Sequence, residues 1–197
     1  FAHVIKGPKG FNVEKGVCVK LGDGHLLSTC FDPQTLSYRA VWSEGWLTFG
    51  PFRWGSSRGA TIQGKPWFQI DQAKLPDGGE YLGLRRFGRR VVFEYQIGSI
   101  QIQDEPWASK NSFFRRIDFL NQSDKATIPC RVADESFSVS FIENQGIESI
   151  RWENGEVIAQ DIQKNASVII RISRYAEDPD TASVIAHLEN DRKIQKR

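Results

Sequence analysis

The sequence contains no methionine, only three histidines and only three cysteines. It has no HExxH or phosphate-loop motif, so the usual signatures of zinc-protease and nucleotide chemistry are absent. No CxxC pair and no CxxCH motif occurs, which excludes a zinc ribbon and a c-type haem within this chain. We therefore expect no catalytic residue, no metal and no cofactor. Because the chain begins with Phe1, we expect a processed product or a piece of a longer protein.

Charge and hydropathy exclude two further classes of protein. The chain carries 26 Lys and Arg against 24 Asp and Glu, a net charge of +2, which is too balanced to predict binding of nucleic acid. No apolar run approaches the roughly 18 residues that a membrane-spanning helix needs. We therefore expect neither a nucleic-acid partner nor a membrane span.

The chain is rich in the signals of short β-strands and tight turns. Residues 17–21 and 25–31 flank a Gly-Asp-Gly turn, and Asn154-Gly155 separates two apolar runs, a pattern typical of a β-hairpin. Residues 81–87 and 89–97 predict another hairpin, whose turn is at Gly88. About twelve such strands predict an all-β fold, either an antiparallel β-sandwich of jelly-roll-like form or a barrel.

The domain boundaries follow from the same pattern. Residues 1–175 are expected to form one β-sandwich-like domain, and residues 176–197 a C-terminal helix or tail. The segment from Gly50 to Gly79 holds six glycines and little alternation, so it is predicted to be a long loop outside the sheet. Loops of this length in compact domains are usually functional.

Aromatic residues concentrate around this segment. Seven of the 23 aromatic residues lie between Trp42 and Phe68, interleaved with basic residues. Flat indole faces stack on sugar rings, and neighbouring guanidinium groups bind hydroxyls or carboxylates. The predicted ligand-binding residues are Trp46, Arg53, Trp54, Arg58 and Trp67. The alternative interpretation is that these aromatic side chains fasten the loop to the core.

Arginines form a second cluster. The hairpin around Gly88 carries Arg85, Arg86, Arg89 and Arg90, which are predicted to bind an anionic glycan, a phosphate or an acidic partner surface. Because side chains alternate along a strand, only half of the strand arginines face one side. The alternative interpretation is a solvated hairpin end.

The cysteines leave two interpretations open. Cys18 and Cys30 flank the Gly-Asp-Gly turn, so they are placed to face each other across the hairpin. An exported protein with Cys18, Cys30 and Cys130 can form one disulfide with one thiol left over. Alternatively, all three are small buried side chains inside strands.

Several motifs together resemble a known family. Gly16-Val-Cys-Val-Lys-Leu-Gly-Asp-Gly, then Cys30-Phe-Asp and Leu36-Ser-Tyr-Arg-Ala-Val-Trp42, resemble an uncharacterised β-rich domain of large exported proteins from planctomycetes and verrucomicrobia. The resemblance covers residues 14–100 and extends more loosely to about residue 172. It implies an accessory domain in the periplasm or outside the cell, beside a c-type cytochrome or sugar-active module. It supplies no catalytic residue.

These observations favour a non-catalytic accessory or binding module of an exported multidomain protein. Its expected partner is a carbohydrate or a neighbouring domain of the same polypeptide, including a redox module that meets the arginines. The alternative is a glycoside-active enzyme in which carboxylates such as Asp32, Glu44 or Asp71 meet across an aromatic-lined cleft.

Overall fold

The structure is a computed structural model that describes residues 2–50, 59–132, 136–174 and 182–186. Within these residues the chain forms two β-sheets. The first sheet contains β1 (Ala2–Lys6), β2 (Asn12–Leu21), β3 (Leu27–Asp32), β4 (Ser37–Ser43), β5 (Leu47–Phe49), β6 (Ala60–Ile62) and β7 (Lys65–Gln69). Their spatial order is β5-β6-β1-β2-β3-β4-β7. A 3₁₀ turn at Pro8–Gly10 joins β1 to β2.

The second sheet is built from the remainder of the chain. It contains β8 (Gly79–Phe87), β9 (Arg90–Ile97), β10 (Ile100–Ala108), β11 (Ser112–Phe119), β12 (Ser123–Pro129), β13 (Ser138–Glu153) and β14 (Glu156–Ser173). Its order is β12-β14-β11-β10-β9-β8, and β13 pairs with β14. The 18-residue strand β14 pairs with β12 through its first half and with β11 through its second half.

The main core lies between the two sheets. Period-two alternation turns one side chain in two inward along each strand, so apolar residues of both sheets meet. Phe31 of β3 stacks on Phe93 of β9, with ring centroids 4.1 Å apart and planes 17° apart. Tyr38 and Phe68 extend this aromatic layer from the first sheet, and each meets Phe113 of the second edge-on. This layer holds the sheets together through apolar burial and ring contacts.

A second apolar cluster lies on the opposite face of the first sheet. It contains Ile5, Cys18, Cys30 and Trp42, all at most 2% exposed. The sheet curls over this cluster because β6 pairs in parallel with β1 and antiparallel with β5. The first sheet thus buries side chains on both faces, as a partly closed barrel does.

A third cluster covers part of the outer face of the second sheet. Trp107, Phe114 and Ile169 alternate with inward-facing neighbours and pack against Val184. Val184 belongs to a helical segment at residues 182–186. This helix lies within the range predicted as a C-terminal helix or tail.

The prediction of an all-β fold is confirmed, with two corrections. Residues 60–69 were predicted to lie in a loop outside the sheet, but β6 and β7 are strands of the first sheet. Both are short, and β7 includes Pro66, so neither gives a clear period-two signal. The sandwich is also not purely antiparallel, because β1 and β6 run parallel.

The three cysteines are all described, and no disulfide joins them. Cys18 and Cys30 are direct cross-strand partners, as their positions around the turn predict. All three side chains are buried. Of the two interpretations, the structure agrees with buried thiols.

Candidate functional site

A cavity of about 570 Å³ opens where the turn after β2 approaches the tip of the β8–β9 hairpin. We call it the Trp46 cavity. Residues of both sheets line it, including Lys20, His25, Trp46, Leu84, Arg86 and Arg89. The turn after β2 packs against the end of β10, where a Cβ atom on Gly22 would lie 2.9 Å from the carbonyl oxygen of Ala108. Because residue 22 is glycine, the turn can pack this closely and form one wall of the cavity. The φ of +77° at this residue also favours glycine.

The indole of Trp46 is the half-buried aromatic wall of the cavity. It stacks on the buried ring of Trp42, with centroids 6.0 Å apart and planes 24° apart. Its backbone carbonyl accepts a 2.8 Å hydrogen bond from the backbone amide of Gln63. At the preceding residue, a Cβ atom on Gly45 would lie 2.2 Å from the carbonyl oxygen of Gln63, so this backbone approach requires glycine. Trp46 is therefore fixed in place by its contact with the second apolar cluster.

Basic side chains surround the indole. The Nζ atom of Lys20 lies 5.1 Å from the ring centroid of Trp46, a cation–π distance. Arg86 and Arg89 approach from the β8–β9 hairpin, and both are exposed. Arg89 pairs with Asp23 across 2.9 Å, but both side chains are 72% exposed, so solvent screens this pair. The described lining contains no Asp or Glu, and it therefore favours an anion.

His25 adds a neutral hydrogen-bonding group. Its Nε2 lies 2.7 Å from the hydroxyl of Ser28, and that hydroxyl donates to the carbonyl of Gly45. When the single hydroxyl hydrogen of Ser28 points to Gly45, the Ser28 oxygen accepts from Nε2–H and Nδ1 of His25 is an acceptor. Burial lowers the pKa of His25, and the positive charge of Lys20 lowers it further. The imidazole is thus neutral at pH 7 and meets Trp46 edge-on at 6.0 Å.

The structure brings together residues that the sequence placed in two separate sites. Trp46 was predicted to bind a ligand, whereas Arg86 and Arg89 were predicted to bind a partner, and all three line one cavity. Sequence reasoning missed Lys20 and His25. Both flank the Gly-Asp-Gly turn, and this turn is the local signal that could have drawn attention to them.

The other predicted site residues lie elsewhere. Trp67 is half-buried beside Phe137, with ring centroids 6.5 Å apart, and packs against the main core. Arg85 pairs with Glu94 at 3.0 Å on the outer face of the second sheet. Arg90 is 5% exposed and forms a two-pronged ion pair with Glu105, so it does not extend the exposed arginine surface. Arg53, Trp54 and Arg58 lie outside the described residues.

The carboxylates considered for an enzyme do not gather in the Trp46 cavity. Asp32 is buried and pairs with Arg39 at 3.0 Å. Glu44 is exposed and pairs with Lys65 at 2.8 Å. Asp71 is an exposed residue that follows β7. Each is absent from the described lining of this cavity.

In residues 2–50, 59–132, 136–174 and 182–186, no group of three or more His, Cys, Asp or Glu is arranged to hold a metal ion. No helix in these ranges is both long and apolar enough to cross a bilayer.

Comparison with known proteins gives a plain result. No protein-family model, curated protein or solved structure matches this chain. The resemblance of residues 14–100 to an exported β-rich domain therefore stays a prediction, and the function rests on the geometry of the site.

Proposed function

We propose that this chain is a non-catalytic binding module that holds an anionic carbohydrate in the Trp46 cavity. The observation that carries the proposal is the position of the Trp46 indole among Lys20, Arg86 and Arg89. One flat aromatic face and several cations are the groups that a sugar ring with a carboxylate or sulfate needs.

The physical chemistry of the cavity suits such a ligand. An indole packs its apolar face against the C–H face of a pyranose ring, while guanidinium groups bind carboxylate or sulfate oxygens in two-pronged fashion. Small-molecule sites have volumes of roughly 300–1,000 Å³, and the Trp46 cavity measures about 570 Å³. Apolar side chains, among them Leu84 and Val91, supply other parts of the wall.

Binding, and not hydrolysis, is the proposal because of the charge of the lining. Glycoside hydrolysis by the common mechanisms uses two carboxyl groups about 5–9 Å apart. The described lining of the Trp46 cavity contains none, and its cations instead attract the acidic group of a sugar. Location in the periplasm or outside the cell, next to a sugar-active or redox module, belongs to the same proposal and rests on the family resemblance.

Isothermal titration with defined oligosaccharides tests the function. The probes are trigalacturonate, a hyaluronan tetrasaccharide and a chondroitin sulfate tetrasaccharide, each compared with a neutral counterpart such as the methyl ester of trigalacturonate. We expect at least one acidic probe to bind and its neutral counterpart to bind about tenfold more weakly or not at all.

Variants connect that binding to the cavity. Trp46→Ala is expected to weaken binding about tenfold or more, and Trp46→Phe to retain most of it. Trp152 is 38% exposed on β13, so Trp152→Ala is the matched control and should leave binding unchanged. Equal binding of acidic and neutral probes, or unchanged binding by Trp46→Ala, would contradict the proposal.

A further inference from the structure

We propose that the free edge of β8 is a docking site for an extended acidic segment of a partner protein, which adds to the second sheet as one more strand. This inference concerns protein binding and does not depend on a ligand in the Trp46 cavity. It rests on the position of β8 in the sheet, the apolar side chains that it exposes and the charge around its tip.

Among the described residues, β8 is the last strand of the second sheet and pairs on one side only. The sheet order ends at β8, and no strand within the described residues pairs with its far side. β8 is nine residues long and pairs with β9 along its length, so its backbone is held extended. An edge of this kind presents unpaired N–H and C=O groups to any chain that lies beside it.

β8 exposes three apolar side chains beside its charged ones. Leu82 is 47% exposed, Leu84 is 43% exposed and Phe87 is 39% exposed. Proteins usually protect long edges with charges, prolines or bulges. In β8 a register shift lies between Tyr81 and Gly83, and the positively charged residues of this strand all come after the shift in the sequence. An added strand would cover apolar surface that is otherwise exposed to water.

Charge defines the chemistry of the partner. Arg85, Arg86 and Arg89 lie at one end of the edge, and all are exposed. The Nε atom of Arg86 donates to the carbonyl of Gly88, and no carboxylate pairs with Arg86 in the described part of the chain. Glu80 lies at the opposite end. A segment that alternates apolar and acidic residues therefore matches β8, with its acidic residues nearest to Arg86.

A second copy of this chain fits the edge less well. Parallel, in-register pairing of two copies would bring Arg85 and Arg86 of both chains together, and like charges near each other across strands are destabilising. Antiparallel pairing would place the arginine end of one copy opposite Glu80 of the other, which is a single carboxylate against two arginines. We therefore commit to a partner with acidic side chains, and self-association becomes an outcome of the test.

Peptide binding to the intact chain tests the proposal. The probes are two fluorescein-labelled decapeptides, one alternating valine and glutamate and the other alternating valine and lysine. Fluorescence anisotropy should show binding of the valine–glutamate peptide and about tenfold weaker binding of the valine–lysine peptide. Hydrogen exchange should show new protection within residues 79–87 when the first peptide is added. Equal binding of both peptides, or protection elsewhere only, would overturn the proposal.

Variants separate this edge from the Trp46 cavity. Leu82 lies at the register shift and has no direct partner in β9, so Leu82→Pro removes an N–H where proline is best tolerated. It should abolish peptide binding. Leu82→Ala, which keeps the N–H, should weaken binding several-fold, while Trp152→Ala, at a tryptophan 38% exposed on β13, should not change it.

Two controls show whether a negative result contradicts the proposed function or the docking site at β8. Trp46→Ala should leave peptide binding intact, so loss of saccharide binding alone would count against the proposed function and not against the edge. If Leu82→Pro does not fold, as judged by circular dichroism, the hydrogen-exchange result on the unmodified chain decides. Size-exclusion chromatography of the unmodified chain completes the test, because a dimer that only Leu82→Pro dissociates would overturn the acidic-partner proposal in favour of a second copy.

Discussion

The hydroxyl of Tyr38 in the first sheet donates a 3.1 Å hydrogen bond to the carboxylate of Asp104 in the second sheet. The same carboxylate accepts from Tyr95 at 2.9 Å and from Arg115 at 2.5 Å. Arg115 also donates to the carbonyl of Pro129 at 2.6 Å. One buried carboxylate therefore links both sheets at the centre of the main core, and each of its oxygens is satisfied.

We expect the free energy of unfolding to depend strongly on this carboxylate. Asp104→Asn leaves the buried guanidinium of Arg115 without its charge partner, and loss of one member of a buried pair typically costs about 3–5 kcal/mol. Tyr38→Phe removes one hydrogen bond and should cost about 1–3 kcal/mol. Urea denaturation measures both values. A change below about 0.5 kcal/mol for Asp104→Asn would mean that the pair is not formed.

The two tyrosines predict a loss of stability at high pH. Burial raises the pKa of Tyr38 and of Tyr95 well above its usual value, and the negative charge of Asp104 raises it further. Above about pH 10 the unfolded chain releases these protons while the folded chain keeps them, so stability falls as pH rises. The fall should be about 1.4 kcal/mol per pH unit for each tyrosine until its folded pKa is reached.

The comparison with Tyr38→Phe isolates this effect, because lysines and cysteines also titrate in this range. Urea denaturation between pH 9 and 11 should show a shallower fall for Tyr38→Phe than for the unmodified chain. Parallel curves for the two proteins would contradict the prediction.

The cysteines are predicted to resist alkylation in the folded state. A hydrogen bond with Cys18 raises the pKa of Cys30 well above its usual value, and burial adds to the effect. Burial also raises the pKa of Cys130. Since the thiolate is the reactive form, iodoacetamide at pH 8 should label neither residue in the folded chain and both in urea. Mass spectrometry measures the labelling, and rapid labelling of Cys30 without urea would contradict its burial.

Saccharide binding in the Trp46 cavity should strengthen at low pH. Burial lowers the pKa of His25 below its usual value, so the ring gains a proton only as the pH falls below about 6.5. Its positive charge would then join Lys20 in the same cavity and attract an anion. Titration of a sulfated tetrasaccharide should show tighter binding at pH 5 than at pH 7.5.

A variant of His25 provides the control for this pH dependence. The residue has a φ of +64°, a conformation that asparagine tolerates well, so His25→Asn removes the titrating ring with little backbone strain. The variant should bind equally at both pH values. Folding must be followed in parallel, because the lowered pKa of His25 also makes the folded chain less stable as pH falls. Unaltered pH dependence in His25→Asn would assign the effect to another group.

Local turn chemistry explains which parts of the fold could be predicted. Gly22-Asp23-Gly24 and Asn154-Gly155 mark two hairpins, and both form as expected, with Cys18 opposite Cys30 in the first. β6 and β7 gave no such signal. β6 has three residues and gains its place by pairing with β1, more than 50 residues earlier in the chain. A pairing of this kind depends on distant partners and not on local sequence.

In the candidate site, too, the locally visible features could be predicted and the long-range arrangement could not. The sequence singled out Trp46, Arg86 and Arg89 because aromatic and arginine clusters are visible locally, but it assigned them to different sites. It also grouped Arg90 with Arg86, although β9 turns Arg90 into a buried ion pair with Glu105. Side-chain direction along a strand depends on register, and register is fixed by the neighbouring strand.

The class of the fold and its hairpins could be predicted from the sequence, because alternation and turn residues act over a few neighbouring positions. The sequence also lacks an apolar run long enough for a membrane-spanning helix. The tertiary structure was needed to show that the turn after β2, the loop that carries Trp46 and the tip of the β8–β9 hairpin form the Trp46 cavity, and that β8 is the last strand of the second sheet within the described residues. The physical reason is that both features depend on how the two sheets curve and pack, and this is set by core contacts between residues far apart in the chain.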